Sequence, residues 1–67
     1  EDGQLWDLIL KLPEKERMVL YLYYYQGYST LETAQLMQAK PATVRTWLFR
    51  AREKLKDWLE VDEYETT

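Results

Sequence analysis

Apolar residues recur along this chain at the three- and four-residue steps of helices, in four blocks separated by Pro13, Gly27 and Pro41. The first block, Gln4 to Leu12, spaces Leu5, Leu8, Ile9 and Leu12 for one helix, with Trp6 beside them. The second is predicted to run from Pro13 to Gln26. Proline suits a first turn, Glu14 and Glu16 favour the positive end of the helix dipole, and Gly27 accepts the left-handed conformation that ends a helix. Val19, Leu22, Tyr23 and Gln26 form its expected inner stripe, with Tyr21 and Tyr24 turned roughly the other way. Tyr23-Tyr24-Tyr25 has strand propensity, but the end signals agree on a helix and no partner strand is visible.

Ser29-Thr30-Leu31-Glu32 has the form of a capping box, which starts a third, short helix reaching about Met37. Ala34, Leu36 and Met37 are its expected apolar contacts. After Gln38-Ala39-Lys40, Pro41 opens a fourth helix. A two-turn helix, a tight connection and a longer helix make a helix-turn-helix. The fold class expected is therefore all-α, a compact four-helix domain over residues 1–59 with a C-terminal helix-turn-helix.

The fourth helix is the informative one. At 100° per residue from Val44, the residues Leu48, Ala51, Leu55, Trp58 and Leu59 fall within about 60°, a single buried seam. Arg45, Thr46, Phe49 and Arg50 lie opposite, with Thr43, Arg52 and Lys56 toward the flanks. Trp47 stands at the margin of the seam, where core-edge packing is expected, and Trp6 and Trp58 read as core or staple residues. The segment 60–67 offers only Val61 and Tyr64 for burial and is expected to be an acidic, frayed or disordered tail.

Charge sharpens this picture. The net charge of −3 over 67 residues hides a strong segregation. Residues 38–56 hold Lys40, Arg45, Arg50, Arg52, Lys54 and Lys56 against Glu53 alone, while 57–67 hold acids and no base. For a polyanionic partner the local patch outweighs the total. With no Cys and no His, disulfide frameworks, zinc fingers and His-based catalysis are excluded. No cofactor, metal or small-molecule substrate is expected. No run of about 18 apolar residues exists to span a membrane. The chain opens on Glu1 without a signal-like segment, and it reads as a piece of a larger cytoplasmic protein.

The basic face is the candidate site. A helix fits the major groove, where Arg meets guanine edges with two parallel hydrogen bonds. Arg45, Thr46, Phe49 and Arg50 are the candidate base contacts, and the exposed Phe49 suits a thymine methyl. The plainer alternative is a solvated surface helix with Glu53 pairing some of the bases. Tyr21, Tyr24 and Tyr28 are candidates for a protein interface, against ordinary solvent-facing tyrosine. The carboxylates have no enclosing cleft and no nucleophile beside them, so an enzyme is not expected.

The same residues resemble region 4 of the sigma-70 family of bacterial sigma factors, particularly its extracytoplasmic-function type. The likeness begins at Leu12-Pro13-Glu14-Lys15-Glu16-Arg17 and continues through Gly27-Tyr28-Ser29 and Glu32-x-Ala34. It is strongest over Thr43-Val44-Arg45-Thr46-Trp47-Leu48-Phe49-Arg50-Ala51-Arg52-Glu53-Lys54-Leu55. The resemblance implies binding to double-stranded promoter DNA at the upstream (−35) element, with Arg45, Thr46, Phe49 and Arg50 on bases. It places Lys40, Ala42, Thr43, Arg52 and Lys56 on phosphates. It also implies docking on the β flap of the RNA polymerase core through the earlier helices, and cover by an anti-sigma factor. The chain departs from the family pattern where Gln38 replaces a turn glycine, Lys40 a better cap, Thr33 a larger core residue and Trp47 a frequent Arg. Leu31 likewise stands where a polar residue is usual. Rival readings are a response-regulator type of helix-turn-helix and a module that serves mainly as a protein handle.

Overall fold

Leu12-Pro13 separates the first two helices, and local chemistry explains why. In the computed structural model, which describes the backbone of residues 2–66 and the side chains of 5–59, α1 spans Asp2–Leu10 and α2 spans Glu14–Leu20. Pro13 is the residue capping α2 rather than its first helical residue, with φ −54° and ψ 153°. Arg17 closes the corner from the other side. Its Nη1 reaches back to the carbonyls of Leu10 and Leu12 at 3.3 and 3.4 Å, where α1 runs out of intrahelical partners. Leu12 itself is buried. Thus one short stretch supplies an anchor, a stop and a cap.

The second helix departs from expectation at its far end. Tyr21–Tyr25 continues it as a π-helix, with the Gln26 amide donating to the Tyr21 carbonyl at 3.0 Å. The wider turn changes which side chains face inward. Leu20 is buried and Tyr23 packs on the core, whereas Gln26, expected on the inner stripe, is exposed. Gly27 then takes φ 79°, and the Tyr28 amide closes the end on the Leu22 carbonyl at 3.1 Å.

Helix α3 covers Thr30–Met37 and begins as read, with Ser29 and Glu32 exchanging bonds of 2.9 and 3.0 Å. Its end is less orthodox. Gln38 adopts φ 55° and ψ 46°, a left-handed residue without glycine's freedom, and the Ala39 amide closes on the Ala34 carbonyl at 2.9 Å. Helix α4 follows over Pro41–Thr66. The segment expected as a disordered tail thus has a helical backbone through Thr66. Its side chains, and Thr67, lie outside the described residues.

Four elements converge on one core of Ile9, Leu12, Val19, Leu20, Ala34, Val44, Leu48 and Ala51, flanked by Tyr23, Met37, Ala39, Trp47, Leu55 and Trp58. The seam of α4 holds from Val44 to Trp58, but Leu59 is exposed, as is Leu36 of α3. Trp6 is a staple rather than a core residue: it is exposed and meets Tyr25 edge to face at 5.5 Å. Trp47 lies half-buried at the core edge, with Lys15 Nζ 6.0 Å from its ring centre.

Candidate nucleic-acid interface

Burying Val44, Leu48 and Ala51 fixes what α4 must present outward. Residues one and two positions after each seam residue rotate away from the core, and these are Arg45, Thr46, Phe49, Arg50, Arg52 and Glu53. All are exposed. Phe49 stands out, with 60% of its surface open to solvent on a helix whose other face is packed.

Lys40 directly precedes α4 and is exposed, with its carbonyl accepting the Val44 amide at 3.0 Å. Ala42 is exposed and Thr43 half-buried, so the helix start offers backbone amides and small side chains to an anion. Thr46 Oγ1 donates to the Ala42 carbonyl at 3.1 Å. Its hydrogen is thereby committed, and its lone pairs suit a base amino group. The helical period counted from Val44 turns Thr46 away from the core but carries no sign of its bond to Ala42.

The basic patch needs one correction. Lys54 does not belong to it. Its Nζ contacts Glu16 of α2 at 2.9 and 3.1 Å, and the Glu16 side chain is only 7% exposed. Glu16, read as a dipole-favouring acid like the exposed Glu14, is a buried carboxylate holding Lys54 away from the outer face. The signal was present in the spacing, since Glu16, Val19, Leu20 and Tyr23 share one helical stripe. Lys40, Arg45, Arg50, Arg52 and Lys56 remain exposed.

The tyrosine candidates divide. Tyr21, Tyr24 and Tyr28 are all exposed. Tyr21 stacks on Tyr25 at 6.2 Å and accepts from Gln26 Nε2 at 2.7 Å. Tyr24 instead accepts a bond from Arg52 of α4 at 2.6 Å. Tyr25, not singled out from the sequence, links Tyr21 to Trp6. Trp6, Ile9, Leu10, Arg17, Met18, Tyr21 and Tyr25 line an open apolar groove of about 260 Å³, on elements other than α4. Among the described residues, no helix is long and apolar enough to cross a membrane.

The family model described as Sigma-70, region 4 matches residues 2–55 of the chain. The ECF RNA polymerase sigma factor SigW of Bacillus subtilis (strain 168) is 39% identical over 51 residues. That alignment covers 76% of this chain, which spans about a quarter (27%) of the relative's length. Helices α1 to α3, the left-handed turn at Gln38 and the part of α4 that carries Arg45, Thr46, Phe49, Arg50 and Arg52 lie within the matched range, while α4 continues past it and Lys56 falls outside.

Proposed function

The chain belongs to the sigma-70 region 4 family, and from that premise we propose that it binds the upstream (−35) element of a bacterial promoter through the major groove. The binding is non-catalytic and serves transcription initiation. Arg45, Thr46, Phe49 and Arg50 meet base edges; Lys40, Ala42, Thr43, Arg52 and Lys56 meet phosphates. The observation that carries this reading is Phe49, largely open to water between Arg45 and Arg50 on the face opposite the core seam. An aromatic left in water costs free energy that packing does not recover, and a thymine methyl between guanine edges would cover it.

The chain's acidic balance shapes how it binds. A net charge of −3 weakens attachment to DNA in general, so affinity depends on the local patch and on good base contacts. The apolar groove bounded by Trp6, Met18, Tyr21 and Tyr25 favours a second, concurrent role in protein contact. The polymerase β flap or an anti-sigma factor is the partner we assign to it.

Selection from a randomised duplex pool at two salt concentrations tests the DNA reading. Enrichment of a short motif, with affinity falling as salt rises, is the expected result. Retention of all sequences alike, or of none, would contradict it.

A further inference from the structure

Arg52 leaves the flank of α4 toward the π-helical segment, where its Nη1 donates to Tyr24 Oη at 2.6 Å, 28 residues away in sequence. The guanidinium carbon lies 6.0 Å from the Tyr24 ring centre. A group bonded to the phenol oxygen sits at the ring's edge, so the hydroxyl does the holding and the π face contributes little. Tyr24 is braced in turn. Its ring meets that of Tyr23 edge to face at 5.0 Å and 84°, and Tyr23 packs on the core.

This chain of contacts ties an exposed arginine to the interior of the domain. A free surface arginine samples many rotamers, and a phosphate that captures it must immobilise the side chain. Tyr24 uses one of the five guanidinium N–H donors and leaves four for an anion. Arg45, Arg50 and Lys56 have no such tether among the described hydrogen bonds.

Resting on the reading that Arg52 meets a phosphate, we propose that Tyr24 is a positioning residue for DNA binding: its hydroxyl holds the Arg52 guanidinium ready on the flank of α4. The π-helical turn belongs to the same device, because it determines where Tyr24 emerges from the second helix.

A double-mutant cycle on this chain tests the proposal, using the duplex recovered by selection and a salt series. Tyr24→Phe keeps the ring and its packing on Tyr23 and removes only the acceptor. It is expected to weaken binding about threefold, the size of one side chain's ordering cost, with the thermal midpoint unchanged. In an Arg52→Ala background the same change is expected to do nothing. Equal losses in both backgrounds, no loss in either, or tighter binding from Tyr24→Phe would overturn the proposal. Arg52→Ala alone is expected to weaken binding on all sequences and to lower the salt slope by about one ion. If Arg52→Ala leaves affinity and slope unchanged, the phosphate role of Arg52 falls and the positioning role falls with it. A null result confined to Tyr24→Phe would overturn the positioning role alone.

Discussion

Lys54 Nζ lies 2.9 Å from Glu16 Oε1, joining the first turn of α2 to the middle of α4 through a carboxylate that water scarcely reaches. The pair is asymmetric, since Lys54 keeps 40% of its side chain exposed and Glu16 only 7%. Removing the lysine therefore strands a buried charge, while removing the acid frees an ammonium that water can take up. Lys54→Ala is expected to destabilise the fold by about 1–3 kcal/mol, discounted because solvent reaches one partner. Urea denaturation checks this. Base preference on DNA should not change, and a shift in preference would place Lys54 on the recognition face.

Gln38 holds φ 55° at the turn between α3 and α4, a conformation in which its Cβ crowds the following carbonyl. Gln38→Gly is expected to stabilise the domain by roughly 0.5–1 kcal/mol, after offsetting glycine's larger unfolded-state entropy. For a domain of this size that raises the melting temperature by about 4–8 °C per kcal/mol. A lower melting temperature would mean that the glutamine side chain contributes something its backbone strain conceals.

Thr33 is fully buried and its Oγ1 has no hydrogen-bond partner among the described residues. Thr33→Val keeps the shape and removes an unsatisfied hydroxyl, so a gain of about 1–2 kcal/mol is expected in the same denaturation experiment. A loss would indicate that the hydroxyl is satisfied, for instance by a buried water.

Phe49→Ser separates the two faces of α4. Phe49 is 60% exposed and outside the core, so the melting temperature should stay within about 2 °C of the parent. Affinity for the selected duplex should nonetheless drop, and the drop should shrink where the contacted thymine is replaced by uracil, which lacks the methyl. Equal affinity for the thymine and uracil duplexes in the parent protein would remove Phe49 from the base contacts.

The sequence made much of this legible, for identifiable reasons. Strong local signals survived intact: the Ser29–Glu32 box, the Gly27 stop, and the Val44–Leu48–Ala51 seam that exposes Arg45, Phe49 and Arg50. Two departures from the family pattern also proved informative, since Gln38 takes the left-handed turn and Thr33 occupies the core. What was missed depends on contacts between distant residues. The stripe shared with Val19, Leu20 and Tyr23 marks Glu16 for burial, but neither its pairing with Lys54 nor that of Tyr24 with Arg52 leaves a mark in local periodicity. The π-helical turn leaves no mark in a pattern read at the α-helical period, which puts Gln26 on the inner stripe where the structure has it exposed.

The central claim is that the outer face of α4 reads bases, and Arg50→Ala tests it most directly. Its affinity would be measured for the selected duplex and for every single base-pair change within it. The account predicts a loss of about 1–3 kcal/mol on the preferred sequence, with discrimination relaxed at one position and retained elsewhere. A uniform loss across all duplexes, with every preference intact, would contradict it and leave Arg50 as a phosphate contact only.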